Sequence, residues 1–251
     1  MEDRISETPI TMEEPASEQL QTLTYAPVIL TGHELLMLAA AGGLKGFRCL
    51  LREELSLPDP EQSIYTWMGM KQEEILDEKE TVREPYASLI RELKSASSLL
   101  LLYTRYSTDA RLCVYTGENR LVLAEPSERD QNSIRLWTQS RQAFCREMLQ
   151  EGWLADLTYE HETTAVPRIL LRRCGRLPVL TGEGRISKEV FPDVVRLVME
   201  RYDMQTASVT ERLMTIEYDY KEFLLHGTDD LRVCPAQREH AAAVLREFCR
   251  R

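Results

Sequence analysis

The chain predicts an α+β fold in which helices flank blocks of antiparallel strands. Three observations carry that expectation. A capped apolar helix opens the ordered part at Thr31-Gly-His-Glu34. Short β-rich segments separated by polar turns follow between Leu99 and Ala124. Helical and strand-like patterns then come in blocks, without the strict alternation that a parallel doubly wound sheet requires.

Residues 1–22 combine Glu, Ser, Thr and Pro with few large apolar side chains. Such a segment cannot bury enough surface to offset its ordering, so it reads as a flexible acidic arm. Residues 23–251 read as a single α+β domain whose two halves, about 23–128 and 129–251, have similar content. Tyr25–Leu30 suits a short strand. In Thr31-Gly-His-Glu34 the Thr side chain can accept from one free amide while the Glu reaches back to another. Leu35, Leu38 and Ala39 then give an apolar helix face, and Gly42-Gly43 a stop. A second helix is expected through Leu50–Leu55, halting at Leu57-Pro58-Asp59-Pro60. A second box of the same form, Thr81-Val-Arg-Glu84, precedes Val82, Tyr86, Leu89, Ile90 and Leu93 at helical spacing.

Leu99–Thr104, Ala110–Tyr115 and Leu121–Ala124 predict a three-stranded antiparallel meander, with Thr116-Gly117-Glu118-Asn119 as a hairpin turn. A longer helix is expected from Asp130 or Ser133, carrying Trp137, Phe144, Cys145, Met148 and Leu149 and ending at Gly152. Trp153–Tyr159, Arg168–Arg173 and Leu177–Leu180 read as strands. Ser187 would cap a helix with Val190, Phe191, Val194, Val195 and Val198 on one face, Pro192 lying in its first turn. Thr206–Leu225 fits either a helix or, over Met214–Tyr220, a strand. A final helix spans about Pro235–Arg250.

Bulk properties narrow the function. The 251 residues carry 41 acidic against 31 basic side chains, a net charge of −10, whereas a duplex-binding protein needs a basic face to neutralise phosphates. A nucleic-acid partner is therefore not expected. The longest apolar stretches, Leu35–Ala41 and Leu99–Tyr103, fall far short of the ~20 residues of a membrane span. The opening Met1-Glu2-Asp3-Arg4 lacks the positive start and apolar core of a secretory signal. Cys49, Cys113, Cys145, Cys174, Cys234 and Cys249 are widely spread, with no CxxC pair, and read as reduced, mostly buried thiols. The expected location is cytoplasmic.

No catalytic, cofactor-binding or metal-binding residue emerges, and no cofactor is expected. Gly42-Gly43-Leu-Lys-Gly46 follows a helix, where a dinucleotide fingerprint must follow a strand. Thr181-Gly-Glu-Gly184 lacks a third glycine and a phosphate-binding lysine, and reads as a turn. His226, Cys234, His240 and Cys249 offer metal-ligating types in one stretch, without the tight local pairing of zinc sites. There is no GxSxG elbow. His33 sits in a helix first turn and His161 among Glu160, Glu162 and Thr163. The carboxylate pairs Glu53-Glu54, Glu73-Glu74, Asp77-Glu78 and Asp229-Asp230 read as solvated faces. The expectation is a non-enzymatic protein that binds another protein, through residues that no motif marks and in an oligomeric state the pattern leaves open.

The segment Val28-Ile-Leu-Thr-Gly-His-Glu-Leu-Leu-Met-Leu-Ala-Ala-Ala-Gly-Gly-Leu, followed by helix, strand meander and a second helix–sheet–helix half, resembles the EspG-type chaperones of type VII secretion systems. It looks closest to relatives encoded near such systems in Firmicutes. In that family an opening strand runs into a helix with the pattern Glu-Leu-x-x-Leu-Ala, and Glu34, Leu35, Leu38 and Ala39 occupy those places here. The resemblance covers residues 25–250 in element order and the first twenty of them in sequence pattern. It implies a pseudo-twofold α+β fold with a central antiparallel sheet and helical bundles. It also implies a chaperone or adaptor that holds the apolar tip of a helical secretion substrate in the cytosol, and so an uncovered apolar patch on a helix bundle or sheet face. The other reading is a regulatory, immunity or scaffold protein binding a protein outside secretion.

Overall fold

A computed structural model describes residues 26–44, 59–104, 110–127, 132–150, 195–206, 208–218, 221–227 and 232–250. Within them lie nine strands in one sheet and five helices. In chain order these are β1 (Val28–Thr31), α1 (Gly32–Ala41), α2 (Pro60–Gln72), α3 (Tyr86–Ser95), β2 (Ser98–Thr104), β3 (Leu112–Thr116), β4 (Leu121–Pro126), β5 (Ser133–Gln139), α4 (Arg141–Gln150), β6 (Val195–Asp203), β7 (Ser208–Tyr218), β8 (Lys221–Gly227), β9 (Arg232–Pro235) and α5 (Arg238–Arg250). The fold is α+β, as the sequence predicts.

Every neighbouring pair in the sheet is antiparallel, and the strand order is β1-β5-β4-β3-β2-β6-β7-β8-β9. Two four-stranded meanders, β2–β5 and β6–β9, thus meet back to back at the β2–β6 ladder, where Leu99 lies opposite Tyr202 and Leu101 opposite Glu200. Each meander is followed by a helix, and these two helices, α4 and α5, pack on one another. The order is that of an approximate twofold about the central pair. A division at residue 128 would cut through the first meander, because β5 and α4 continue it.

Side-chain alternation along the strands serves two cores at once. Leu100, Leu102, Val114, Leu121 and Leu123 face α4 and α5, meeting Phe144, Met148, Leu245 and Phe248. Leu99, Cys113, Tyr115, Val122 and Leu136 face the opposite side, meeting Leu35 and Leu38 of α1, Met70 of α2 and Leu89 and Leu93 of α3. A strand covered on both faces needs no polar positions, which is why β2 reads Ser-Leu-Leu-Leu-Leu-Tyr-Thr.

The opening helix forms as its sequence dictates. Thr31 Oγ1 accepts from the Glu34 amide (3.3 Å), and the Glu34 carboxylate accepts from the Thr31 amide (2.7 Å). At the other end Gly43 takes φ +70°, and the amides of Gly43 and Leu44 donate to the carbonyls of Ala40 and Ala39. This is the αL stop that glycine permits without a Cβ clash. Gly117, in the predicted β3–β4 turn, is required by space: a Cβ there would collide with the Glu92 carboxylate and the Arg120 carbonyl. The same carboxylate accepts from the amides of Asn119 and Arg120 (both 3.2 Å), tying α3 to the turn.

Several expectations are corrected. Ser133–Gln139 is strand β5, not the first turns of a helix; Ile134 and Leu136 are buried on one face and Trp137 packs on the other. The helix begins after Ser140, whose Oγ accepts from the Ala143 amide (3.1 Å). Val195 and Val198 belong to strand β6 rather than to a helix. Thr206–Leu225 resolves into strands β7 and β8. Thr81 does not cap α3: the helix starts after Pro85, the Glu84 carboxylate accepts from the Ser88 amide (3.1 Å), and Val82 bridges Leu76. The second expected helix at 50–55, the strands at 153–159, 168–173 and 177–180, and residues 187–194 lie outside the described residues, as do 1–25.

Two stability measurements check this account. Thr31→Ala removes a capping-box partner and should lower unfolding free energy by about 1 kcal/mol. Leu123→Ala, in a site only 1% exposed, should cost about 2–5 kcal/mol in urea unfolding.

Candidate partner-binding surface

Polar groups at the centre of the sheet pair with one another. At the centre of the sheet Glu200 is fully buried; Arg212 Nε donates to one of its oxygens and the Tyr202 hydroxyl to the other, each at 2.9 Å. Tyr103 of β2 bonds to the Tyr202 oxygen and completes a chain across β2, β6 and β7. Burial, with the negative charge of Glu200, pushes the Tyr202 hydroxyl up to about 12 and Tyr103 further in the same direction. One residue along and on the other face, Arg201 pairs with Glu211 (3.2 Å) and lies over the Phe248 ring (4.7 Å).

At the end of β6–β8 an open cleft of about 520 Å³ is lined by Ser97, Ser98, Arg201, Asp203, Glu211, His226, Arg232 and Glu247, among others. Its groups do not assemble a nucleophile and base. Ser98 Oγ is bonded to Thr116 Oγ1 (2.6 Å), and Asp203 accepts from the amides of Gln205 and Thr206.

The metal-ligating types of the C-terminal stretch do not converge. His226 is half-buried on β8, His240 is exposed on α5, and Cys249 is buried against Cys145 of α4. That thiol contact, with burial, holds Cys249 well above the ordinary thiol range, so it stays protonated. Among the described residues no group of three His, Cys, Asp or Glu is placed to hold a metal ion. His33 sits half-buried in the first turn of α1, and Glu73-Glu74 are exposed. Asp77 accepts from the amides of Lys79 and Thr81. His161, Thr181–Gly184, Glu53-Glu54 and Asp229-Asp230 lie outside the described residues.

What the fold leaves open is apolar. Among the described residues four large hydrophobic side chains are exposed, and three of them share one helix: Ile64 (61%), Tyr65 (66%) and Met68 (62%) of α2. Asp59 caps α2, accepting from the Gln62 amide (2.8 Å), and Pro60 occupies the first turn, where its missing N–H is no loss. Met70 is fully buried, and Trp67 packs on the core beneath α1–α3 while bonding to Glu80. Those anchors fix the rotation of the helix. With 100° per residue, Ile64 and Met68 then stack one turn apart on the outer side, with Tyr65 beside them.

The sequence reading missed this helix because it took Leu57-Pro58-Asp59-Pro60 as a breaker. Asp followed by Pro-Glu is instead an N-cap, an N1 proline and an acidic first turn, and that order marked the start.

No protein-family model and no curated protein matches the chain. Among solved structures the fold is similar to that of the Mycobacterium tuberculosis type VII secretion system chaperone EspG5, solved in complex with a PE25–PPE41 dimer. The likeness covers 88% of this chain and 94% of that one, with a TM-score of 0.50 and 12% sequence identity. No described helix is long and apolar enough to cross a membrane.

The buried tyrosine chain sets an alkaline limit on stability. The folded-state value of Tyr202 lies above that of an unfolded tyrosine, so its contribution is whole below pH ~10 and is lost as pH rises toward about 12. Unfolding free energy should fall across that window by up to about 1.4 kcal/mol per pH unit for this group. Tyr202→Phe should flatten the slope in urea melts taken at successive pH values.

Proposed function

We propose that this chain is a non-enzymatic, cytosolic chaperone or adaptor that binds a helical type VII secretion substrate and shields its apolar tip until export. The observation that carries the reading is the likeness of the fold, over most of both chains, to a secretion chaperone solved in complex with a PE25–PPE41 dimer. The acidic charge, −10, agrees with a protein partner and not with a phosphate backbone. The apolar stripe on α2 agrees with a surface kept for a partner.

Co-expression with small helical proteins encoded beside its gene tests the proposal. One of them should co-purify as a stoichiometric complex by size-exclusion chromatography with light scattering, and should precipitate or be degraded when expressed alone. A chain that binds none of them, or whose pull-down returns a toxin or other non-exported protein, overturns the secretion reading.

A further inference from the structure

We infer that the outer face of α2 is a docking stripe for an amphipathic helix with basic flanks. This deepens the reading of the chain as a protein-binding chaperone and rests on it.

Three observations point to that occupant. The first is the concentration of exposed apolar surface: Ile64, Tyr65 and Met68 lie within five residues of one helix, whereas the only other large hydrophobic exposed among the described residues is Ile29 (40%) on edge strand β1. Apolar contacts one turn apart are what a second helix reads when it packs along the first.

The second is Gly69. A glycine inside a helix costs roughly 1 kcal/mol relative to alanine, and packing among the described residues does not explain it: a Cβ at this position would meet none of their atoms within 4 Å. One turn after Tyr65, it puts no side chain over the backbone, so the backbone of a partner helix can approach closely there.

The third is charge. The segment from Asp59 to Arg83 carries seven acidic side chains against three basic ones. Asp59 and Glu61 bound the stripe at one end, Glu73 and Glu74 at the other. Two of the three cations turn toward carboxylates of this chain: Lys71 Nζ lies 2.7 Å from Glu80 and Arg83 Nη1 lies 3.2 Å from Glu74. An apolar strip with acidic ends is complementary to an apolar strip with basic ends, and repels an acidic one.

The test uses the full chain and two fluorescent helical peptides of about four turns, matching the length of α2. Both carry the same Leu/Ile face; one has Lys and Arg at its ends, the other Glu. By fluorescence anisotropy the basic peptide should bind, weaken as salt is raised, and lose about tenfold or more in affinity to Ile64→Glu/Met68→Glu. Since both side chains are exposed, circular dichroism and urea unfolding of that variant should match the parent. Gly69→Leu, which covers that backbone without adding charge, should also weaken binding. Equal binding of the two peptides, binding of neither, or a variant that binds as the parent does overturns the inference. So does a dimer of the chain that Ile64→Glu/Met68→Glu dissociates, since the stripe would then serve a second copy. If the variant still forms the substrate complex at parental affinity, this inference fails while the proposed function stands.

Discussion

The antiparallel β2–β6 ladder is the joint on which the molecule depends. It turns two separate meanders into one sheet, and each would otherwise end in an open edge there, a row of unpaired amides and carbonyls. Pairing β2 with β6 places both strands at the middle of nine, and helices packed on both sides of the sheet there leave neither face of β2 to solvent. The leucine run of β2 follows directly from that position. So does the location of the two cores: α4 and α5, each following the last strand of its meander, are carried to the same side and meet there, while α1–α3 occupy the other side over β1–β5. The helices do not organise the sheet; the joint organises the helices.

The same joint explains the polar groups in the interior. Central strands with only apolar side chains leave register to packing alone, and a slip of one residue would exchange the two faces. Along β6, Glu200 binds Arg212 on one face and Arg201 binds Glu211 on the other, in consecutive rungs of the β6–β7 ladder. A slip would strand a buried charge on each face, which costs far more than a displaced leucine. Tyr202 and Tyr103 extend the Glu200 pair to β2 and so couple the register of the joint to that of β7. These ion pairs need not add net stability over apolar replacements; their effect is on which alignment survives.

What was legible in the sequence follows from how local each signal is. The Thr31–Glu34 box and the Gly42-Gly43 stop involve atoms within a few residues, and both form as read. The Leu99–Ala124 meander was legible because its turns are polar and its strands short. Ser133–Gln139 and Val195–Val198 fit a helix for one reason: with both faces of the sheet buried, apolar residues recur at spacings that also suit a helix, and only pairing partners far away in the chain decide. Thr206–Leu225 carried the same ambiguity. No contact residue was marked in advance, because the stripe on α2 has no catalytic or ligand pattern, and what distinguishes Ile64, Tyr65 and Met68 is only that the fold leaves them uncovered. The signal that was available, Asp59-Pro60-Glu61, identified the helix but not its outward face; that needed Trp67 and Met70 to be seen buried.

The energetics of that stripe bear on how such a protein works. Fully burying a large apolar side chain is worth about 1.5–3 kcal/mol, and these three are already one-third covered, so the stripe offers roughly 3–6 kcal/mol before the partner's own apolar face is added. Association takes back an estimated 4–15 kcal/mol in lost freedom. A short helix on this surface alone is therefore held weakly, and a lasting complex requires contacts elsewhere on the molecule as well. Under the proposed chaperone role this is an advantage, because separate weak contacts can be given up one at a time. Acidic ends add steering and choice of partner more than strength. A single continuous apolar surface of comparable total affinity would hold its partner longer and expose the free chaperone to aggregation. Among the described residues, three of the four exposed large apolar side chains share one helix, which fits the first arrangement.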